Sequence, residues 1–132
     1  MVDALEAVRT RLRRRGLVVD LQPDLTYQPA VYVSRGSRRL LIGAVTRTLD
    51  ENILAAHIAR DRAVAVGRFR LVASGGATFG ARHDLAGFER ELVDNENWSL
   101  PRGFRARLAA AARPGTRVQI EKRFDFVVLR RT

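Results

Sequence analysis

The segment from Tyr27 to Arg47 constrains the fold more than any other part of the chain. Residues 30–34 and 39–46 are rich in valine, leucine and isoleucine, and the sequence Arg-Gly-Ser separates the two runs. Apolar, β-branched runs on either side of a turn that contains glycine are typical of a β-hairpin. The segment therefore predicts two short strands with Gly36 in the turn that joins them.

Helical and strand patterns are expected on both sides of this hairpin. The expected elements are a helix over 2–15, a strand over 17–21, a helix over 51–63 and a strand over 67–73. Asp3 and Glu6 resemble a capping box at the start of the first helix, and Asp50 is the expected N-cap of the second. This half of the chain alternates helices and strands.

The second half is less regular in sequence. The glycine-rich segment 75–80 is expected to be a flexible connection, and Asp84 is expected to cap a helix. Pro101 is expected to open a further helix that ends near Ala112. Two strands, over 116–121 and 124–130, are expected on either side of a Lys122-Arg123 turn.

Length and composition favour one small folded domain. The chain has 132 residues, 46% of them hydrophobic, which is enough for a core. No apolar run reaches the roughly 20 residues that a membrane-spanning helix needs, and no apolar signal region is recognised at the N-terminus. Because the chain has no cysteine, disulfides and thiolate metal sites are excluded. A cytoplasmic domain that contacts no membrane is the expectation, nucleoid-associated if it binds DNA.

The formal net charge of +10 is the second strong signal. Lys122 is the one lysine, and the other 23 of the 24 basic residues are arginines. A preference for arginine over lysine can reflect a GC-rich genome, but such a coding bias does not remove acidic residues. The excess of positive charge therefore favours a polyanionic partner, with nucleic acid as the leading candidate and a generic basic surface as the alternative.

The order helix, strand, hairpin, helix, strand over residues 2–74 resembles the restriction-endonuclease-like core of Mrr-type endonucleases and archaeal Holliday-junction resolvases. Pro29, Thr46 and Arg47 match the family pattern in place. The resemblance implies an α/β (α+β) fold in which a central mixed β-sheet is flanked by helices. Residues 75–132 would then be an α/β elaboration packed on this core, within a single domain over 1–132.

The resemblance also implies that the nuclease chemistry has been lost. Family members carry an aspartate after the proline and then Glu-x-Lys, but this chain has Ala30, Gly43 and Val45 at those positions. In the family the two carboxylates hold Mg²⁺ and the lysine helps to position or activate water. We therefore expect a protein that is not an enzyme, with no metal and no cofactor.

A migrated active site is the alternative on the catalytic side. Asp20, Asp24 and Glu51 lie near the degenerate positions in sequence, and some family members shift a catalytic residue onto the helix after the hairpin. Each of the three also has an ordinary structural interpretation: an acid at a strand edge, a turn residue and an acid in the first turn of a helix.

The leading functional hypothesis is a non-catalytic nucleic-acid-binding protein on a nuclease-like scaffold, which contacts phosphates with little sequence preference. The residues expected to bind are Arg13, Arg14, Arg15, Arg35, Arg38, Arg39, Arg47, Arg68 and Arg70. Double-stranded or branched DNA and a homodimer are what the resemblance implies. The alternative is a structural subunit that binds an active nuclease or another protein, with the second half of the chain as its interface through the Trp98 loop and the arginine-lined helix that Pro101 opens.

Overall fold

The computed structural model describes residues 4–132, and these form four helices and seven strands. The helices are α1 (Ala4–Arg11), α2 (Glu51–Ala65), α3 (Leu85–Asp94) and α4 (Phe104–Ala111). The strands are β1 (Leu17–Pro23), β2 (Ala30–Arg35), β3 (Arg38–Ala44), β4 (Thr46–Arg47), β5 (Phe69–His83), β6 (Trp98–Ser99) and β7 (Arg117–Arg131). The protein is therefore a mixed α+β protein.

Side-chain capping explains where two of the helices begin. The Asp50 carboxylate accepts hydrogen bonds from the backbone N–H groups of Asn52 and Ile53, so α2 begins at the predicted residue. The Asp84 carboxylate accepts from the Gly87 N–H at 2.7 Å and caps α3 in the same way. Such caps satisfy N–H groups that have no partner inside the helix. The predicted capping residue Asp3 lies outside the described residues.

The chain divides into two compact units, each built from separate stretches of sequence. Unit 1 comprises Met1–Leu25, Asp50–Ala77 and Phe124–Thr132, and unit 2 comprises Thr26–Leu49 and Thr78–Arg123. The long strands β5 and β7 contribute residues to both units.

In unit 1, α1 and α2 pack on a sheet that contains β1 and the second half of β7. Strand β1 pairs antiparallel with β7, with Val18 opposite Leu129 and Asp20 opposite Val127. Leu129 and Val127 are buried together with Phe69, and the helices cover them with apolar side chains. The residues packed against this cluster from the helices and the segment after α1 are Leu5, Leu12 and Val64.

In unit 2, α3 and α4 pack on a sheet made of β3, β2 and the first half of β7. Strand β2 is the central strand, because it pairs antiparallel with both β3 and β7. The core of this unit is formed by Val31, Ile120 and neighbouring strand residues, with Phe88 from α3 and Phe104 from α4. The two phenylalanine rings are stacked, with centroids 6.2 Å apart. Strands β4 and β6 form a separate two-stranded sheet.

The expectation of a mixed sheet is wrong, because the pairings of the described strands run antiparallel. The same direction holds for β5 and β7, since Gly75 lies against Phe126 and Gly80 lies against Gln119. In addition, β1 and β2 do not pair with each other, and β7 is the neighbour of both. Local periodicity does not reveal a partner strand that lies about ninety residues away in sequence.

The expected flexible connection over 75–80 is also wrong, because these residues lie within the continuous strand β5. A side chain at Gly75 would meet the Phe126 ring at 2.7 Å, and one at Gly80 would meet the Gln119 amide nitrogen at 2.4 Å. The glycines therefore leave room for large side chains of the neighbouring strand, which is one of the reasons for glycine inside a strand.

The predicted turn at Lys122-Arg123 is not formed, because β7 is one strand of 15 residues. Charged residues suggested a turn, but Lys122 has partners of its own in unit 2. Its ammonium group contacts the Glu91 carboxylate and lies 5.1 Å from the centre of the Trp98 ring. A paired, partly buried lysine is compatible with a strand interior.

Candidate nucleic-acid interface

Four arginines gather at one end of the β2–β3–β7 sheet in unit 2. We call this cluster, formed by Arg35, Arg38, Arg39 and Arg117, the arginine end. All four residues are exposed. The turn between β2 and β3 contains Gly36 with a φ of 57°, a left-handed conformation that suits the tight turn of a hairpin.

The strand register arranges these arginines as two pairs at the same end of the sheet. Arg35 and Arg38 point to one face and Arg39 and Arg117 to the other, because successive residues of a strand point to opposite faces. Arg35 lies directly opposite Arg38, and both Arg39 and Arg117 lie opposite Ser34. Neighbouring strands are about 4.8 Å apart, so the backbones at Arg39 and Arg117 are separated by about 10 Å across one row. Like charges directly opposite each other in a sheet are destabilising unless an anion lies between them.

Acidic residues are scarce around this end of the sheet. The stretch 26–49 contains four arginines and no aspartate or glutamate. In unit 2 as a whole, 13 basic residues face 6 acidic ones, a formal net charge of +7. Unit 1 has 11 basic and 8 acidic residues, a net charge of +3. The positive charge is thus concentrated in the unit that carries the arginine end.

Arg39 is held in place by a chain of contacts on the sheet surface. Its Nη2 donates to Glu121 Oε2 at 3.0 Å, and its guanidinium carbon lies 3.8 Å from the centre of the Tyr32 ring. The Tyr27 hydroxyl donates to the other Glu121 oxygen at 3.2 Å. A guanidinium stacked on an aromatic ring is pre-organised for planar contacts. Arg39 therefore differs from Arg35 and Arg38, for which the described residues provide no acidic partner.

Burial, followed by the nearby Glu121 carboxylate, raises the pKa of Tyr27 above its ordinary value. The folded protein therefore holds the phenolic proton more tightly than the unfolded chain, whose tyrosines titrate near 10. The stability that this group contributes is complete below the unfolded pKa and is lost as the pH rises through the folded one. We expect tyrosinate absorbance to develop at higher pH for Tyr27 than for a free tyrosine. Tyr27→Phe should remove the rise in absorbance at the higher pH. If the absorbance of the wild type rose in a single step at the pH of a free tyrosine, the assignment would be contradicted.

Arg47, a predicted binding residue of the same unit, lies in the two-stranded sheet opposite Trp98. Its backbone N–H donates to Gln28 Oε1 at 2.6 Å. It is half-buried and belongs to β4, so it is not part of the arginine end.

The remaining predicted binding residues belong to unit 1. Arg13, Arg14 and Arg15 follow α1 and are exposed, and Arg70 is exposed on β5. Arg68 is paired with Glu6 at 3.0 Å, so part of its charge is already neutralised.

The nine predicted arginines are thus divided between the units, and Arg35, Arg38 and Arg39 are the ones that lie at the same end of the sheet as Arg117. Sequence reasoning missed Arg117, because only the β2–β7 register places it there.

Ala30, Gly43 and Val45, where the sequence resemblance predicts lost nuclease residues, do not share a face of the sheet. Ala30 lies opposite Ala44 and Glu121, whereas Gly43 lies opposite the next residue, Val31. Because successive residues of a strand point to opposite faces, Ala30 and Gly43 project to different sides. Val45 is completely buried in the core cluster that contains Val31. Side chains at positions 30 and 43 would therefore not converge on one metal ion.

Gly43 and Val45 have structural roles instead. Gly43 has a φ of 157° and lies next to a register shift in the β2–β3 pairing. A side chain there would meet the Phe104 ring at 3.3 Å. The Val45 N–H donates to the Pro29 carbonyl at 2.8 Å. These two residues let α4 and the strand pack closely.

The carboxylates of the alternative, migrated site all lie in unit 1. The Asp20 carboxylate accepts from Gln22 Nε2 at 2.6 Å and faces Arg60 Nη1 at 3.7 Å. Asp24 is buried, and Glu51 occupies the first turn of α2. Among residues 4–132, no group of three or more histidine, aspartate or glutamate side chains is arranged to hold a metal ion.

No described helix combines the length and the apolar character that crossing a membrane requires. Comparison of the chain with models of protein families, with curated proteins and with solved structures finds no match.

Proposed function

We propose that this protein binds nucleic acid without cleaving it, and that the arginine end of unit 2 is the main contact. The observation that carries the proposal is the placement of four exposed arginines at the end of three adjacent strands, one pair on each face of the sheet, with Arg35 and Arg38 directly opposite each other. Phosphate groups would relieve the repulsion between these charges and accept charge-assisted hydrogen bonds. Such contacts position a nucleic acid and carry little sequence information.

The other arginines that the sequence predicts as phosphate contacts do not belong to the arginine end and stay predictions; they are Arg13, Arg14, Arg15, Arg47, Arg68 and Arg70. The restriction-endonuclease-like core, a preference for double-stranded or branched DNA and a homodimer stay predictions of the sequence resemblance. Binding at the arginine end does not require any of the three.

The test is fluorescence anisotropy of labelled duplex, branched DNA and single-stranded RNA, titrated with the protein at several salt concentrations. Binding should be tight at low salt and weaken steeply as salt rises. If each of the four arginines neutralises one phosphate of a duplex, the logarithm of affinity should fall with the logarithm of salt with a slope of about −3.6. If none of the three nucleic acids binds at low salt, the proposal is wrong.

The same mixtures, incubated with Mg²⁺ or Mn²⁺, test the catalytic alternative. We expect the labelled strands to stay intact on a denaturing gel. Metal-dependent cleavage that Asp24→Asn or Glu51→Gln abolishes would instead establish an enzyme with a migrated site.

A structural role in a protein complex is the second candidate, and one observation in unit 1 favours it. Leu17, Val19 and Leu21 of β1 are 51%, 64% and 60% exposed and point to one side of the strand. On β7, Val19 is opposite Val128 and Leu21 is opposite Phe126, so this part of the face is apolar, and Arg130 opposite Leu17 ends it. An exposed apolar sheet face is typical of a surface that another protein covers. Failure of every nucleic acid to bind would favour this role.

A further inference from the structure

Unit 1 contains a cavity of about 1100 Å³ between α1, α2 and β1. Its wall is mostly apolar, with Leu5 and Val8 from α1 and Val18 from β1. A volume of this size lies slightly above the range for sites that bind small organic molecules, which is about 300–1,000 Å³. We call this space the α1–α2 cavity.

The cavity is open because α2 presents alanines to it. Ala55, Ala59 and Ala63 follow one another at four-residue spacing along α2 and line the wall. Residues four apart lie on the same face of a helix. Longer side chains at these positions would reach toward α1 and fill the space. Small residues alone do not make a binding site, but the cavity also contains polar groups that lack partners.

Gln22 is the first of these groups. Its side chain lines the cavity, the residue is only 8% exposed, and its Oε1 atom has no hydrogen-bond partner among the residues that the structure describes. The amide orientation is fixed by Asp20, since a carboxylate accepts the Nε2 hydrogen bond at 2.6 Å. Oε1 is therefore a buried acceptor, and a buried acceptor without a donor destabilises a protein. A bound molecule with an O–H or N–H group would satisfy it.

Arg62 is the second group. It lines the cavity, it is exposed, and none of the described residues forms an ion pair with it. The other lining arginine, Arg68, is already paired with Glu6. The cavity thus combines an apolar wall, a buried hydrogen-bond acceptor and one cation with no acidic partner among residues 4–132. The Asp20 carboxylate also lines the cavity, but it is held by Gln22 Nε2 and faces Arg60 Nη1 at 3.7 Å.

We propose that the α1–α2 cavity binds an acyl-chain carboxylate that also carries a hydroxyl or amide N–H group. The acyl chain would lie against the alanines of α2, the hydroxyl or N–H would donate to Gln22 Oε1, and the carboxylate would pair with Arg62. This site belongs to unit 1 and does not involve the arginine end, so the two proposals stand or fall separately.

Isothermal titration calorimetry with laurate, hydroxylaurate and lauryl alcohol tests the site. Wild-type protein should bind laurate with saturation at one molecule per chain, and hydroxylaurate more tightly. Ala59→Phe should reduce laurate affinity at least tenfold by filling the cavity, whereas Ala65→Phe, an exposed position of α2 that does not line it, should leave the affinity unchanged. Circular dichroism shows whether both variants fold.

Two further variants test the polar contacts even if Ala59→Phe does not fold. Arg62→Gln should weaken laurate binding about tenfold and leave lauryl alcohol unaffected, because only laurate carries the charge that Arg62 pairs with. Gln22→Leu should remove the preference for hydroxylaurate over laurate. Absence of saturable laurate binding, or equal binding by Ala59→Phe and the wild type, would overturn the proposal. So would an Ala59→Phe variant that changes a dimer into a monomer, since the cavity would then hold a second copy.

Discussion

Replacing both Arg35 and Arg38 by glutamine is expected to weaken duplex binding on the order of 10–100-fold at low salt. Both side chains are exposed at the tip of the β2–β3 hairpin, and they lie directly opposite each other. Each arginine that is replaced should remove about one phosphate contact. The slope of log affinity against log salt should therefore become less negative by about 1.8.

The same substitution should have the opposite effect on folding. Removing two like charges that face each other across a strand pair relieves repulsion, and we expect the free energy of unfolding to rise by about 0.2–1 kcal/mol. Urea denaturation of the two proteins measures this difference. A loss of affinity together with a gain of stability cannot be explained by damage to the fold.

The control is the double variant Arg90→Gln and Arg105→Gln. These residues belong to unit 2 and are exposed on α3 and α4, so the variant has the same net charge without changing the hairpin. Arg105 also has a partner of its own in Glu89. An equal loss of affinity in the control would show that net charge, and not the arginine end, determines binding.

The local features of the sequence predicted most of the helices and the hairpin. Asp50 and Asp84 are N-caps in the structure, because short polar side chains satisfy N–H groups whatever the rest of the fold does. The β2–β3 hairpin is likewise a local structure, with Gly36 supplying the left-handed turn. These elements depend on residues within a few positions of each other.

The features that were not predicted depend on contacts between distant residues. Gly75 and Gly80 suggested a loop, and only the facing side chains of β7 show why glycine occurs in a strand. Helix α4 begins at Phe104 after Gly103, not at Pro101, because Gly103 adopts a left-handed φ of 76°. The Arg117 position in the arginine end likewise follows from the pairing of β2 with β7. No local pattern in a single sequence indicates which residues of β7 lie opposite those of β2 and β5.

Restoring the lysine of the nuclease pattern, Val45→Lys, is expected to destabilise the protein by about 3–5 kcal/mol. Val45 is 0% exposed and lies in the core of unit 2 with Val31 and Phe104. A lysine there would bury a charge without a partner, or would have to give up its proton. Because whole domains are stable by only about 5–15 kcal/mol, the loss would be a large part of the total.

Val93→Lys is the matched control, because it makes the same chemical change at a residue of α3 that is 77% exposed. Its free energy of unfolding should change by less than about 0.5 kcal/mol. Urea denaturation of both variants gives the comparison. A Val45→Lys protein as stable as the control would mean that position 45 opens to solvent, as the lysine of an active site must.

Restoring all three positions at once tests the resemblance to nucleases itself. If the alignment describes a lost active site, Ala30→Asp, Gly43→Glu and Val45→Lys together should create Mg²⁺-dependent cleavage of DNA. We expect none, because residues 30 and 43 point to opposite faces of the sheet and the Phe104 ring lies 3.3 Å from where a side chain at 43 would begin. Two carboxylates bind one metal only when their oxygens converge. Cleavage by the triple variant would therefore show that the strand register is wrong. An inactive, destabilised variant would indicate that the residues at positions 30, 43 and 45 serve the packing of unit 2.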